Sequence, residues 1–246
     1  MGIEIKDFRH KISEALLRNI INKSEAFELI LTYYSRYPGI KYPKYAGVIG
    51  SSEEKVNLVK ETSFPYMIKE ENALWIYSDE SSKSLHEFLL KKYEGLYKRP
   101  ELIKEERLIL GDPECCAEEY AKYFADINRN GFGSHNFYLE IKKRFEEKLK
   151  ILRKQKFQNS ETLIELIRKG EIYPKELLYR GDMIPHNPEC EKAIEICKER
   201  KEILSYNEKL IGIEEGYFPN LKEEIEKDKA FLDIAILNKI ARNCKY

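Results

Sequence analysis

The sequence predicts a mixed α+β protein that is mainly helical, with a small N-terminal β-α-β-β unit flanked by helices and a helical C-terminal half. Apolar residues recur at helical spacing through most of the chain. Short apolar runs bounded by turn residues, which are typical of strands, occur between residues 45 and 78. The 246 residues suffice for one large domain or two smaller ones. We expect a first region at 1–100 and a helical, cysteine-bearing region at 101–246, unless both form one continuous domain.

The N-terminal region begins with helical periodicity. Residues 7–36 carry apolar side chains three and four positions apart, and Ser24 marks a restart, so two helices are expected. Residues 45–50, 64–68 and 73–77 predict three strands, and the Ser51-Ser52 pair after the first of them predicts a helix cap. The glycine spacing at this turn is not that of a phosphate-binding loop, so an ordinary connection is expected.

The middle of the chain is expected to be helical with short interruptions. Ser81-Ser82 can cap a helix on which His86 is predicted to lie at the surface. Residues 108–110 predict a short strand or a docking loop before the cysteine-bearing helix. Residues 126–131 start like a calcium loop, but the twelfth position is Phe137, so a loop between helices is expected instead. His135 is predicted in the flexible part of that loop, too far from the cysteines to join them.

The second half continues with amphipathic helices. Ile141, Phe145, Leu149 and Leu152 form a stripe that predicts a core-facing helix. Apolar residues at 163–167 and 221–240 predict two further helices, the first of which ends at Gly170.

Two stretches share a local pattern that is typical of a helix start. Each has a capping residue, a proline, a glutamate and then cysteine; the stretches are Asp112-Pro113-Glu114-Cys115-Cys116 and Asn187-Pro188-Glu189-Cys190. Asp and Asn are good N-caps, and proline suits the first helical position. A thiol in the first turn of a helix has its thiolate favoured by free N–H groups, unless burial opposes this effect. We predict that the two helix starts meet.

Three interpretations of these cysteines follow from the residues alone. Cysteine is often a buried packing residue, it can hold a metal or a cluster, and it can be a reactive thiol. His186 lies four positions before Cys190, so Cys115, Cys116, His186 and Cys190 are candidate ligands for zinc or iron. Adjacent cysteine side chains diverge, so we expect one of the pair to ligate and the other to support the site. Cys197 or water are the other candidates for a fourth ligand.

The motif resembles the Gly-Tyr-Pro-x-Cys-Cys signature of an uncharacterised, mainly archaeal family, the domain of unknown function numbered four hundred and eighty-three. The shared stretch here is Gly111-Asp112-Pro113-Glu114-Cys115-Cys116, a Gly-x-Pro-Glu-Cys-Cys motif, and 184–190 matches the later proline-rich cysteine segment. This chain has Asp112 where the family has tyrosine and His186 where it has cysteine, which departs from an all-thiolate site. The resemblance implies a site and no established activity.

Composition limits the classes of partner and compartment. The 43 basic and 43 acidic residues cancel, which argues against a broad nucleic-acid-binding surface. The sequence has neither an apolar run long enough to span a membrane nor a signal-peptide pattern at its start. Five cysteines in this number of residues do not indicate a secreted disulfide framework, so we expect a cytoplasmic protein. The partner is expected to be a small molecule or a protein, and no sequence motif identifies it or indicates the oligomeric state.

Two functional hypotheses remain. The first is a metal- or thiol-centred protein in which Cys115, Cys116 and His186 take part in catalysis. A bound metal would act as a Lewis acid or activate water, or a thiolate would be the nucleophile with His186 as its base. The second is a non-catalytic binding or scaffolding protein whose cysteines are structural. Whether the protein is an enzyme stays open.

Overall fold

The fold is described by a computed structural model over residues 4–37, 39–62, 64–93, 99–154, 160–210 and, within 226–237, all but 228 and 231. The helices are α1 (Ile5–Leu17), α2 (Lys23–Tyr34), α3 (Glu53–Glu61), α4 (Glu80–Lys92), α5 (Pro100–Ile109), α6 (Glu114–Asn130), α7 (Asn136–Lys154), α8 (Ser160–Arg168) and α9 (Glu191–Leu210). The strands are β1 (Ala46–Ile49), β2 (Met67–Lys69) and β3 (Leu74–Tyr77). Two 3₁₀ turns cover Phe132–Ser134 and Lys175–Tyr179, and the described residues of 226–237 are helical. The predicted mainly helical α+β class is confirmed.

The three strands form one antiparallel sheet in the order β1-β3-β2. Ala46 pairs with Tyr77 at one end of the β1–β3 ladder and Ile49 pairs with Leu74 at the other. The chain order β1-α3-β2-β3 is the β-α-β-β unit predicted from residues 45–78. Strand β2 begins only at Met67, so the predicted strand at 64–68 starts too early.

Strand β3 divides the apolar core because successive strand residues point to opposite faces of a sheet. Leu74 and Ile76 belong to the larger buried cluster, which contains residues of α1, α2, α6, α7 and α9. Trp75 and Tyr77 belong to a smaller cluster that includes Leu89 of α4 and residues of α5. The sheet therefore lies between helices on both faces. Residues from both sides of position 100 share these clusters, and the division at that position remains a prediction.

Helix α2 has the largest buried share of the helices α1 to α4. Its Asn22 cap accepts from the Glu25 N–H, and the Glu25 side chain accepts in return from the Asn22 N–H. This capping box satisfies amide groups that a helix start would otherwise leave free. Nine of its twelve residues are buried, among them Glu28. A helix that is covered on all sides belongs to the core, and a carboxylate on it needs a charged partner.

Helix α4 places His86 in the interior, contrary to the prediction. His86 is fully buried, and its Nδ1 lies 2.6 Å from the Tyr77 hydroxyl and its Nε2 3.4 Å from Glu106 Oε1. Leu85 and Phe88 of the same helix are exposed. The surface position predicted for His86 is wrong because β3 and α5 supply polar partners that the neighbouring sequence does not reveal. The cap is also different, since Asp79, not Ser81 or Ser82, accepts from the Ser82 N–H.

Two predicted connections are helical. Residues 108–110, expected as a strand or loop, are the end of α5, with Leu110 as its C-terminal cap. Residues 126–130 continue α6, which ends at Asn130 with Gly131 beyond it at φ +75°. The stripe of α7 is confirmed for the buried Ile141 and Phe145. The side chains of Leu149 and Leu152 and the residues 221–225 and 238–246, which include Cys244, lie outside the described residues.

A buried ion pair connects the described residues of 226–237 to the segment that follows the second 3₁₀ turn. Arg180, directly after the second 3₁₀ turn, donates to both carboxylate oxygens of Asp233, and the Tyr173 hydroxyl donates to the same carboxylate. Arg180 and Asp233 are both buried. A buried charge of this kind is tolerated because it is paired and hydrogen-bonded. None of the helices in the described part of the chain combines the length and apolar content needed to span a bilayer.

Candidate metal centre

The first cysteine motif follows a tight turn between α5 and α6. Gly111 has φ +84°, a conformation that favours glycine, and a Cβ there would crowd the carbonyl oxygen of Pro43 at 3.1 Å. Helix α6 begins at Glu114 with Pro113 as its N-cap. Cys115 and Cys116 are therefore the second and third helical residues, one position earlier than predicted and still within the first turn.

The predicted capping role of Asp112 is wrong. Its side chain is buried against Arg107, whose Nε donates to Asp112 Oδ2 over 2.7 Å. Local sequence favours Asp as a cap, but a charged partner from the preceding helix outweighs that preference. Asp112 thus anchors the turn and leaves the helix N–H groups to other acceptors.

The second motif forms a turn before α9 instead of its first turn. Asn187 Oδ1 accepts from the Glu189 N–H at 2.8 Å, and the Asn187 carbonyl accepts from the Cys190 N–H at 3.3 Å. Helix α9 begins at Glu191, so Cys190 directly precedes it. The Cys190 sulfur accepts from the Ala193 N–H, which is the bond that a capping side chain makes. Cys190 therefore occupies the N-cap position of α9 that the sequence predicts for Asn187.

A group of six buried or largely buried charges ties the two loops together. We call Glu28, Lys44, Arg107, Asp112, Asp182 and Arg200 the charge cluster. Arg107 joins the loops directly, since it binds Asp112 and also donates to the Asp182 carbonyl over 2.9 Å. Lys44 does the same by donating to the Leu110 carbonyl at 3.1 Å and to Asp182 Oδ1 at 3.0 Å. The turn before α6 and the loop before Cys190 are therefore held side by side.

The rest of the charge cluster closes around the same loops. Lys44 Nζ also lies 3.0 Å from Glu28 Oε2 on α2, and Arg200 on α9 donates to the Arg180 carbonyl. Burial acts to raise the pKa of Asp182, but Lys44, Arg107 and Arg200 outweigh it and hold that pKa below its usual range. The cluster pairs three acids with three bases, which offsets part of the cost of burying them. For Glu28 and Asp112 burial outweighs the neighbouring cations and raises the pKa.

The charge cluster was not predicted, although the sequence contains a signal for it. A Gly-Asp pair precedes each cysteine loop, at Gly111-Asp112 and at Gly181-Asp182, and both glycines have positive φ. A Cβ at Gly181 would meet Glu28 Oε1 at 2.9 Å, so the loop passes directly over the buried carboxylate. Repetition of the pair marks two turns of similar geometry whose aspartates meet a common set of cations.

The predicted meeting of the two cysteine motifs is confirmed. One ligand atom from each of Cys115, Cys116, His186 and Cys190 lies within 4.8 Å of every other. Cys190 Sγ is 3.9 Å from Cys115 Sγ and 3.6 Å from Cys116 Sγ, and Cys116 Sγ is 3.4 Å from His186 Nδ1. Both adjacent sulfurs belong to the group, so the expected divergence of the pair is wrong. The first turn of α6 aims them at the same point.

The donor set and three of its spacings match those of a tetrahedral metal site. Zinc–thiolate bonds of about 2.3 Å and zinc–imidazole bonds of about 2.0–2.1 Å place tetrahedral sulfurs about 3.8 Å apart and a sulfur and a nitrogen about 3.6 Å apart. The sulfur–sulfur distances of 3.6 and 3.9 Å and the sulfur–nitrogen distance of 3.4 Å lie close to those values. Three sulfurs and an imidazole suit zinc or iron, whereas calcium and magnesium prefer oxygen.

Burial and hydrogen bonding set different proton affinities within the group. A hydrogen bond from Cys116 lowers the pKa of Cys190 to about 5 despite burial, and the Ala193 N–H adds to this effect. The same bond raises the pKa of Cys116, and burial raises that of Cys115. Cys116 and Cys190 are buried, while Cys115 and His186 are partly exposed. One side of the group therefore faces solvent.

Other candidate residues lie apart from the four-atom group in the described structure. Cys197 lies inside α9 and is fully buried, and burial raises its pKa to about 12. His135 is outside the group as predicted, but it is fully buried, not in a flexible tip. Its Nδ1 accepts from the Phe137 N–H at 3.1 Å, and burial lowers its pKa to about 4.

Comparisons with known proteins add nothing to the interpretation of this site. Scanning the chain against family models, curated proteins and solved structures finds no match in any of the three comparisons.

Proposed function

We propose that this protein binds one zinc ion through Cys115, Cys116, His186 and Cys190. The observation that carries the proposal is the approach of their four ligand atoms to within 4.8 Å of one another. Three free thiols and an imidazole at this separation provide a complete tetrahedral ligand set. Iron is the second metal that this donor set accommodates.

The proposed role of the metal is to join the starts of α6 and α9. Zinc sites with four protein ligands are closed and structural, whereas catalytic sites keep a position for water or substrate. All four positions can be filled here by protein atoms, so the non-catalytic hypothesis from the sequence is favoured. The long segment between Cys116 and His186 makes such a link valuable, because it connects loops that are distant in the chain.

A thiol-dependent activity is the second candidate, and one observation favours it. The lowered pKa of Cys190 would make its sulfur a thiolate at neutral pH in metal-free protein. The proposed base for such a nucleophile fits less well, because His186 Nδ1 lies 3.4 Å from Cys116 Sγ, and Cys116 is not the ionised thiol. This candidate requires reactive thiols in protein that contains no metal.

Metal analysis of protein purified without an affinity tag tests the proposal. We expect about one zinc per chain by elemental analysis, and a strong loss in Cys115→Ser and Cys190→Ser. Cys197→Ser is the matched control, because Cys197 is a buried cysteine outside the four-atom group. Metal-free protein that fails to take up added zinc, or equal loss in the Cys197→Ser variant, contradicts the proposal.

We also propose a compartment and a family for this protein. The described cysteines Cys115, Cys116, Cys190 and Cys197 are free thiols, and a reducing cytoplasm would keep three of them available as ligands. Membership in the family with the Gly-x-Pro-Glu-Cys-Cys motif stays a prediction from that motif. Zinc in a second protein carrying the same motif would support it.

A further inference from the structure

Cys115 is the thiol of the four-atom group that solvent reaches most readily. Cys116 is fully buried and Cys190 is 5 % exposed, whereas Cys115 is only partly buried. Small oxidants that attack a thiolate from solution therefore meet Cys115 first. Oxidation of cysteine follows both thiolate character and exposure, and a metal ion keeps its sulfur ligands deprotonated.

Geometry restricts the disulfides that an oxidised Cys115 can form. The adjacent Cys116 is a poor partner, because neighbouring Cα atoms lie about 3.8 Å apart and disulfides usually need about 4.4–6.8 Å. Cys190 Sγ lies 3.9 Å from Cys115 Sγ on a separate loop. A bond between them needs the sulfurs to approach by about 1.9 Å, to the usual length of about 2.05 Å.

The position of Cys190 allows such a movement. It precedes α9 and follows the irregular segment 180–189, so its side chain can turn with the loss of only the capping bond from the Ala193 N–H, while the helix from Glu191 onward stays intact. Cys115, by contrast, lies inside the first turn of α6. The buried Cys116 is held by contacts to both His186 Nδ1 at 3.4 Å and Cys190 Sγ at 3.6 Å.

We infer that Cys115 and Cys190 form a peroxide-oxidisable dithiol whose disulfide expels the metal. The metal-release part rests on the proposed zinc site, whereas the disulfide part rests only on the positions of the two sulfurs. Loss of two of the four ligands leaves one thiolate and one imidazole, too few to hold zinc tightly.

The chemistry balances with hydrogen peroxide as the oxidant. The Cys115 thiolate attacks one peroxide oxygen, the O–O bond breaks, and Cys115 sulfenic acid and hydroxide form. The Cys190 thiolate then attacks the Cys115 sulfur, an S–S bond forms, and a second hydroxide leaves. In total two thiolates lose two electrons, one peroxide gains them, and the metal ion departs unreduced.

Peptide mapping and zinc release test both parts on the full chain in a Cys244→Ser background. Zinc-loaded protein receives one equivalent of hydrogen peroxide, and a colorimetric chelator follows the released zinc. Tryptic digestion without reductant should link the peptide 108–122, which carries Cys115 and Cys116, to the peptide 181–192, which carries Cys190. Fragment ions that separate the adjacent cysteines should place the bond on Cys115, and dithiothreitol should restore zinc binding.

The controls separate failure of the inference from failure of the zinc site. Cys197→Ser should behave as the parent protein, and Cys115→Ser should form no linked peptide. A bond on Cys116, or zinc release with only sulfinic acids formed, overturns the inference even if zinc binds. If the protein takes up no zinc, the same linked peptide from the metal-free chain still supports the dithiol, and its absence there refutes it.

Discussion

At the scale of single residues, one amino-acid type takes different roles according to its surroundings. Cys190, just before α9, has a sulfur that accepts hydrogen bonds, and its pKa falls to about 5. Cys197, seven positions later inside α9, is packed among core residues, and its pKa rises to about 12. Desolvation opposes the thiolate in both cases, and only Cys190 has donors that offset it. Cys190 is thus distinguished from Cys197 by its hydrogen-bond partners and not by burial alone.

Zinc binding should release about two protons per ion at pH 8. Metal ligands must be deprotonated, and in the metal-free protein Cys190 has already lost its proton because its pKa is lowered to about 5. Cys115 and Cys116, whose pKa values are raised, still hold theirs. Affinity should therefore increase as pH rises, by about 100-fold per pH unit for two protons.

Calorimetry in two buffers of different ionisation enthalpy measures this proton count. Release of three protons would mean that Cys190 is an ordinary thiol in the metal-free state. Cys197→Ser should leave the count unchanged, since that residue is outside the four-atom group.

Replacing Arg107 with methionine should lower the free energy of unfolding by about 3 kcal/mol. The side chain of Asp112 is fully buried 2.6 Å from Arg107, and it would be left without its main counter-charge. Urea denaturation of the metal-free protein measures the loss. Asp112→Asn in the Arg107→Met background should recover part of it, because the remaining side chain carries no charge.

The matched control for this prediction is on the same helix. Lys104 pairs with the exposed Glu118 at 2.8 Å, so Lys104→Met should cause little change in stability. Equal losses of stability in the two variants would show that the buried Arg107–Asp112 pair contributes no more than an exposed ion pair.

At the scale of elements, the sequence predicts where helices and strands lie better than it predicts their caps. The strands at 46–49 and 74–77 and the paired helices before them follow from periodicity. The caps of α4 and α6 differ from the prediction for two separate reasons. At α4, Asp79 accepts from the Ser82 N–H in place of a serine cap. At α6, Arg107 binds the Asp112 carboxylate, which the sequence predicts to cap the helix. Capping is worth only about 1 kcal/mol, so a tertiary ion pair can displace it.

Gly181→Ala should lower the free energy of unfolding by at least about 2 kcal/mol, compared with about 1 kcal/mol for Gly39→Ala. Both glycines have positive φ, at +62° and +97°, which disfavours any residue with a Cβ. A Cβ at Gly181 also meets Glu28 Oε1 at 2.9 Å and Phe27 Cε1 at 3.1 Å, whereas nothing lies within 4 Å at Gly39.

Chemical denaturation of both variants, with and without zinc, checks this difference. Gly181→Ala should also weaken zinc binding, because the loop that it distorts leads to His186 and Cys190. Equal stability of the two variants would mean that the loop near Glu28 yields freely to an added methyl group.

At the scale of the whole molecule, the candidate site lies where distant parts of the chain meet. The charge cluster takes Glu28 from α2, Arg107 from α5 and Arg200 from α9, and the larger apolar cluster also spans both halves. Folding these parts together brings the cysteine loops side by side before any metal is considered. A metal ion placed there would reinforce contacts that the buried charges already establish.

Zinc at a free concentration 1,000-fold above its Kd should stabilise the protein by about 4 kcal/mol. For a chain of this size that corresponds to a rise in Tm of about 8–16 °C. Differential scanning calorimetry with buffered zinc measures the shift. The rise should vanish in Cys190→Ser and persist in Cys197→Ser, and a similar rise in both variants would place the stabilising ion elsewhere.

By itself the sequence determined the mainly helical α+β class, the β-α-β-β unit and the four candidate ligand residues, because these depend on periodicity, turn residues and nearby side chains. The structure confirmed the predicted meeting of the two motifs. It alone decided that both adjacent sulfurs join the group and that Asp112 and His86 are buried with charged or polar partners. These outcomes depend on residues far away in the chain. Packing and buried electrostatics choose such partners only once the whole chain is folded.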